Sequence, residues 1–171
     1  AAYTTSLPLS VSVEGSTVAI EGRAPTPDLD GKEVRRSVVS PSYFSALGIP
    51  LLAGRIFTEQ ESGDTVNVAV VNETMKTLHF LGEDPVGRRM QWGCVGPECP
   101  WMTVIGVVHD TKQDGLDEFV RPEIYVSYLQ EPQLGLNLVV RTDRDALSIV
   151  PSLRAVLKAA DPEIPLKSLA G

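Results

Sequence analysis

The sequence predicts an α+β fold, and three observations support that prediction. Short runs in which apolar and polar residues alternate recur along the chain, which is typical of strands with one buried face. Segments with helical spacing lie between these runs and carry capping residues at their ends. The elements follow the order β, β-α-β, β-α-β-β-β, β-α, and this order is typical of an α+β domain.

The chain begins with a predicted hairpin. Residues 7–13 and 18–20 alternate as strands do, and Gly15-Ser16 between them is predicted as a turn. Residues 24–33 hold two prolines and an Asp-Gly pair, so they are predicted as a loop. A short strand is predicted over residues 34–39.

A capped two-turn helix is predicted next. Ser40 offers an N-cap hydroxyl, and Pro41 suits the first helical position because its missing N–H has no partner there. Tyr43 and Phe44 can share one helical face with Leu47. Gly48 fits the left-handed conformation that ends a helix.

A strand over residues 49–52 follows this helix. Gly54 and Arg55 are predicted to form the turn after it, and Phe57 is predicted to anchor the strand's end. Residues 58–65 are polar and read as a loop.

The middle of the chain repeats the pattern. A strand is predicted over residues 66–71, and Asn72 is predicted to cap a helix that ends near Gly82. The segment EDPVGRRMQW predicts a turn leading into a strand. Residues 101–108 form the most apolar strand and are predicted to lie centrally.

The remaining elements are a loop, two strands and a helix. Residues 109–118 are polar, and strands are predicted over residues 122–128 and 136–142. Apolar residues follow helical spacing over residues 145–160. Asp161-Pro162 is predicted to end this helix, because proline disfavours helical geometry in the residue before it.

Composition and charge exclude several classes of protein. The chain has 171 residues and a formal net charge of -7, from 15 basic and 22 acidic side chains. An acidic surface repels phosphate backbones, so nucleic-acid binding is disfavoured. No apolar run reaches about 18 residues, and the first residues lack a signal peptide's regions. We therefore expect a soluble domain. A soluble domain cut from a membrane protein would show the same features.

Six segments in order carry a family resemblance. They are VSPSYFSALGIPLLAGRIFT, VAVVNETM, LGEDPVGRRM, VIGVVHDTKQDGLDEFVRPEIYVSY, LVVRT and LRAVLKAADPEIPL. In these segments the sequence resembles the extracytoplasmic domain of ABC transporter permeases of the MacB and FtsX type, in the acidobacterial permease subgroup.

The resemblance implies a two-lobed periplasmic domain. A porter lobe would be built from residues 1–65 and 131–171, and a sabre lobe, mostly β, would be inserted as residues 66–130. The motif residues would have structural roles. The helix and strand of the porter lobe would contain Ser40, Pro41, Tyr43, Phe44 and Gly48. The connection from the porter lobe to the sabre lobe would contain Gly54, Arg55 and Phe57.

The function implied by the resemblance is mechanical. The domain would sit on the periplasmic side of the inner membrane, without catalysis, cofactor or metal, and would relay motion from an ATP-driven membrane part of an efflux permease. Its partners would be its own transmembrane helices, an ATP-binding domain or subunit, a second permease copy and possible periplasmic adaptors.

The two cysteines, Cys94 and Cys99, lie in GCVGPECP between two predicted strands. The favoured interpretation is a disulfide closing the tip of a hairpin, since a pair persists in an oxidising periplasm. A redox couple, a zinc site and two free thiols remain open. Trp92 and Trp101 flank this loop. They are interpreted either as a cross-strand pair or as a contact for a partner.

Other polar residues are better interpreted as surface or structural residues than as catalytic ones. His79 and His109 are expected to be surface or satisfied residues, and the His109-Asp110 pair has no accompanying serine motif. The acidic stretch from Asp110 to Glu123 lacks EF-hand spacing and is expected to be a solvated loop. A free-standing periplasmic thiol oxidoreductase and a ligand-binding module are the competing hypotheses.

Overall fold

The computed structural model describes residues 1–7, 15–23, 34–61, 63, 65–111, 119–143, 145–161 and 163. The chain divides into two compact units, Ala1–Val139 and Val140–Gly171. Each unit is described by itself.

Strands dominate the described part of the first unit. The strands are β1 (Ala2–Thr4), β2 (Gly15–Ser16), β3 (Val18–Ile20), β4 (Val34–Val39), β5 (Leu51–Gly54), β6 (Val68–Asn72), β7 (Arg89–Trp92), β8 (Met102–Val108), β9 (Glu123–Ser127) and β10 (Asn137–Val139), and the helices are α1 (Tyr43–Leu47) and α2 (Glu73–His79). The predicted α+β class is confirmed.

The strands pair into one mixed sheet that closes on itself. Its order is β10-β1-β4-β9-β6-β8-β7-β3, with β4–β9 and β6–β8 parallel. β2 directly precedes β3 in the chain, yet it pairs with β4 while β3 pairs with β7. The β2–β3 segment therefore connects β7 to β4. Six strand positions form a closed ring, and each position has a neighbouring strand on both sides.

Alternation along the ring strands produces two buried faces. The inner cluster takes residues from β3, β4, β6, β7, β8 and β9, and α2 adds Met75 with the adjacent Phe80. The outer cluster contains Tyr43, Phe44 and Phe57. In β4, the neighbours Val38 and Val39 belong to different clusters, because successive side chains point to opposite faces.

Several element predictions are confirmed. Strands lie within the predicted ranges 34–39, 101–108, 122–128 and 136–142, and the interior position of β8 matches its predicted central place. Asn72 caps α2 with its side chain, accepting a hydrogen bond from Met75 N. Gly48 ends α1 in the left-handed conformation with φ 69°.

Other element predictions are wrong. Gly15-Ser16 is strand β2 and not a turn, because its backbone pairs with Val34 and Arg35 of β4. β5 begins at Leu51, since Ile49 N still donates to Phe44 O at the end of α1. The strand β1 was not predicted. The predicted loop at residues 24–33 and most of the strand at 7–13 lie outside the described residues.

The predicted lobes share this sheet. β4 belongs to the predicted porter lobe (residues 1–65 and 131–171), whereas its parallel neighbour β9 belongs to the predicted sabre lobe (residues 66–130). The two compact units of the structure meet between Val139 and Val140. The lobe boundaries remain predictions.

The second unit holds the last predicted helix. It begins as a 3₁₀ helix, Ala146–Ile149, and continues as α3, Val150–Ala160. Pro151 explains the change, because a residue without an N–H is tolerated only in the first turn of an α-helix. Asp161 ends α3, as predicted.

Candidate functional site

The serine motif before α1 fastens the first strand. Ser40 Oγ accepts a hydrogen bond from Tyr3 N at 3.0 Å, and Ser40 N donates to Tyr3 O at 3.0 Å. Ser42 Oγ donates to Ala1 O at 2.9 Å. We call this set of contacts between Ser40, Ser42 and residues 1–3 the clamp.

The predicted N-cap at Ser40 is wrong, because the Ser40 side chain belongs to the clamp. The N-cap position belongs to Ser42, which makes no side-chain cap, and Pro41 lies in the turn before the helix and not at its first position. The Ser40 hydroxyl is unavailable for capping because it serves β1, which no local pattern around residue 40 indicates.

Aromatic side chains pack α1 against the outer face of the sheet. The Phe44 ring meets Tyr125 of β9 edge-on with centroids 5.1 Å apart, and it lies 6.3 Å from the Phe57 ring. Tyr43 lies 6.0 Å from Tyr125. All four residues are buried. Edge-to-face pairs stabilise beyond the area that they bury, so α1 and β9 should move together.

Gly54 crosses β8 at very close range. It pairs with Gly106, and a Cβ built on Gly54 would lie 2.2 Å from Ile105 O. A Cβ on Gly106 would lie 2.2 Å from Arg55 O. Gly54 also has φ +70°, a conformation that favours glycine. The motif glycine is therefore required by its backbone and by its neighbour, and Gly106 is the partner that sequence reasoning missed.

Arg55 holds the turn that follows. Its Nη1 lies 2.6 Å from Oε1 of the buried Glu61, and Glu61 Oε2 accepts hydrogen bonds from Thr58 N and Thr58 Oγ1 at 2.5 and 2.8 Å. Burial raises the pKa of Glu61, but the hydrogen bonds from Thr58 and the Arg55 guanidinium outweigh it and lower that pKa overall. Glu61 lies in the segment predicted as a polar loop, and no local pattern there indicates its buried role.

A buried polar group lies on the outer face of β4 and β9. Glu123 accepts hydrogen bonds from Ser37 Oγ at 2.6 Å and Tyr125 OH at 2.9 Å, and Arg35 stands opposite it in the strand register. Burial, then the charge of Glu123 and Tyr43, raise the pKa of Tyr125. The prediction of a solvated acidic loop is wrong at Glu123, which is 2% exposed.

The loop after β8 supports α2. Asp110 accepts hydrogen bonds from Thr74 N at 2.9 Å and Thr74 Oγ1 at 2.7 Å, in the first turn of α2. His109 is exposed, and its Nδ1 lies 3.2 Å from the backbone oxygen of Asp110, not from the carboxylate. His79 is half-buried, and burial lowers its pKa. The Asp110 carboxylate is thus committed to helix α2.

Cys94 and Cys99 form a disulfide with Cα atoms 5.6 Å apart. The bridge closes the connection between β7 and β8, which pair antiparallel through Arg89↔Thr103 and Met90↔Met102. The favoured interpretation, a bridged hairpin tip, is confirmed for this chain. No helix begins beside this bridge, where redox couples usually lie.

The two tryptophans make separate contacts. Trp92 packs on the inner cluster, donates from Nε1 to Val34 O at 3.1 Å and stacks under the Arg36 guanidinium at 4.9 Å. Trp101 lies under the Arg89 guanidinium at 5.5 Å. Continued by one residue, the β7–β8 register sets Trp101 opposite Gln91, so the two indoles are not a directly opposed cross-strand pair.

Within the described ranges, no cluster of three or more His, Cys, Asp or Glu residues could hold a metal ion. Among the same residues, no helix has the length and apolar character needed to cross a membrane.

Solved structures share this fold. The periplasmic region of MacB from Actinobacillus actinomycetemcomitans is similar at 20% identity and a TM-score of 0.62, over 94% of this chain and 66% of that one. The extracellular domain of the noncanonic ABC-type transporter YknZ from Gram-positive bacteria is similar at 16% identity and a TM-score of 0.57, over 94% and 75% of the two chains. At these identities the likeness shows the fold alone.

Among curated proteins, none matches the sequence. The chain spans 66% of the length of the MacB region to which it is similar. The model of the MacB-like periplasmic core domain family matches residues 3–162, nearly the whole sequence. The chain therefore belongs to the family of MacB-like periplasmic core domains of ABC transporter permeases.

Proposed function

We propose that this chain is the non-catalytic periplasmic domain of an efflux-type ABC permease and relays conformational change from the ATP-driven membrane part to periplasmic partners or substrate. The observation that carries the proposal is the clamp. It fastens β1 to the motif of residues 40–57 through both side-chain and backbone hydrogen bonds.

A relay needs a firm attachment between its moving input and its body. In the arrangement that the family resemblance implies, this domain lies between two transmembrane helices. β1 would then carry the motion of the first helix. β1 pairs with β10 through three residue pairs, and Thr4 pairs with Val39 of β4, so a displacement of β1 would load the sheet directly.

The body behind the attachment resists deformation. Each strand position of the ring pairs with a neighbouring strand on both sides. The aromatic side chains around Phe44 pack α1 against β9. Packed interiors transmit displacement because they have low compressibility. Rigidity of this kind suits the transfer of movement.

Two carboxylates of the described residues have structural roles. Asp110 holds the first turn of α2, and Glu123 accepts two hydroxyl hydrogen bonds in a buried position. This use of both groups supports a domain without chemistry of its own, in which ATP hydrolysis belongs to a separate domain or subunit.

The expected partners follow from the same proposal. They are the permease's own transmembrane helices, the ATP-binding part and a second copy of the permease. A periplasmic adaptor is the further candidate, and Trp101, half-buried beside an exposed bridged loop, is the proposed contact residue.

The clamp provides the test. In the full-length permease in membrane vesicles, Ser40→Ala combined with Ser42→Ala should leave ATP hydrolysis within about twofold of the parent, since hydrolysis lies elsewhere. The ATP-dependent change in labelling rate of a cysteine at the exposed Leu81 should shrink severalfold. Ser45→Ala is the matched control, because Ser45 Oγ bonds only within its own helix turn, to Ser42 O. An unchanged labelling response in the clamp variant would contradict the proposal.

A further inference from the structure

Gln91 lies at the base of the bridged loop and is 1% exposed. Its side-chain amide faces the loop backbone and makes three hydrogen bonds. Nε2 donates to Gly96 O and to Cys99 O, each at 2.8 Å, and Oε1 accepts from Gly96 N at 3.0 Å. The loop is thus wrapped around a buried amide.

None of these three hydrogen bonds involves a sulfur atom. Two backbone hydrogen bonds add to them, from Cys94 N to Trp92 O at 2.9 Å and from Cys99 N to Gly96 O at 3.2 Å. These polar contacts hold backbone atoms of the loop without using the sulfur atoms, and the two cysteine Cα atoms lie 5.6 Å apart. That separation lies in the usual range for disulfides.

We infer that Gln91 is the positioning residue for the bridge, because its amide shapes the loop and brings the Cys94 and Cys99 thiols within bonding distance before oxidation. Ordering the loop in advance removes most of the entropy that closing it would cost, which raises the effective concentration of one thiol towards the other. The disulfide then locks a loop whose shape already exists.

The oxidation itself balances with a disulfide reagent such as oxidised glutathione. One cysteine thiolate attacks the reagent's disulfide and releases one glutathione thiolate. The second cysteine thiolate attacks the mixed disulfide and releases the other. The two protein thiols lose two protons and two electrons, and the glutathione disulfide takes up both to become two glutathione thiols.

The test measures the effective concentration of the two thiols in a glutathione redox buffer. Gln91→Leu removes all three hydrogen bonds while keeping similar volume, so the effective concentration should fall by about tenfold or more. Gln91→Glu keeps one acceptor and loses both donations, so it should fall in the same direction. Gln133→Leu is the control, because Gln133 is exposed and bonds only to Glu131. Equal effective concentrations in parent, Gln91→Leu and Gln91→Glu would overturn the inference.

A second measurement does not depend on the fold tolerating a change at Gln91. In the double variant Cys94→Ser with Cys99→Ser, the Gly96 amide should keep its protection from hydrogen exchange, within about tenfold of the bridged protein, since its partner is Gln91. Loss of that protection to the level of an open loop would show that the bridge, and not Gln91, shapes the loop.

Discussion

Replacing Gly54 with alanine adds a single methyl group and should destabilise the fold strongly. The new Cβ would lie 2.2 Å from Ile105 O and 3.0 Å from Gly106 Cα, both backbone atoms of β8. Neither atom can rotate away as a flexible side chain can. β5 would have to move away from β8 or adopt another backbone path.

Two separable costs give the magnitude. A non-glycine residue in the left-handed region costs about 1–2 kcal/mol, and forcing an extra carbon into a packed contact costs about 1–3 kcal/mol. Taking midpoints, Gly54→Ala should lose about 3.5 kcal/mol, or roughly 7–14 °C in Tm for a chain of this size.

Two other glycines separate the costs. Gly106→Ala meets Arg55 O at 2.2 Å without a left-handed φ, so it should lose about 2 kcal/mol from crowding alone. Gly82→Ala has φ +81° and nothing within 4 Å, so it should lose about 1.5 kcal/mol from backbone strain alone. The loss of unfolded-state freedom is shared by all three variants, so it does not change their order.

Thermal unfolding of the three variants, followed by circular dichroism at neutral pH, checks the order. Gly54→Ala should have the lowest Tm, with Gly106→Ala and Gly82→Ala between it and the parent. If Gly54→Ala unfolds at the same temperature as Gly82→Ala, or if Gly106→Ala matches the parent, the close approach of β5 and β8 is refuted.

Two further substitutions test the polar contacts, and reduction of the disulfide tests the bridge. Asn72→Leu should lose about 3 kcal/mol in urea unfolding, because the Asn72 side chain caps α2 and also bonds Glu123 N and Arg121 O. Glu61→Gln should destabilise the fold at pH 7, because the folded-state pKa of Glu61 is lowered from 4.5. The difference in Tm between the variant and the parent should vanish as pH falls through that lowered value. Measuring Tm against pH for both proteins checks this. Reducing the Cys94–Cys99 bridge should cost about 2 kcal/mol, since the closed loop is short, measured by urea unfolding with and without reductant.

Features set by neighbouring residues could be predicted from the sequence. Asn72 caps its helix and Gly48 ends its helix because both contacts lie within one helical turn. The bridge between Cys94 and Cys99 could be anticipated because the chain between them is short. These signals are local, so the sequence around each residue contains them.

Features set by distant pairings could not be predicted in this way. Ser40 is a good capping residue by type, but Tyr3, 37 residues earlier, takes its hydroxyl. Gly54 needs a glycine at residue 106, and the buried Glu123 accepts a hydrogen bond from Ser37 on a parallel strand, 86 residues away. The closure of the ring through β2 likewise depends on pairing with β4. Each needs the sheet order, which alternation within one strand does not specify.

The most direct test of the relay is the movement of the domain in the full-length permease. Spin labels at the exposed positions Val66 and Leu81 report two distances, one within a chain and one between copies. On addition of a non-hydrolysable ATP analogue, the proposed relay predicts that the distance between copies changes while the Val66–Leu81 distance within a chain stays constant. A domain whose distance between copies does not respond to nucleotide would contradict the proposed function.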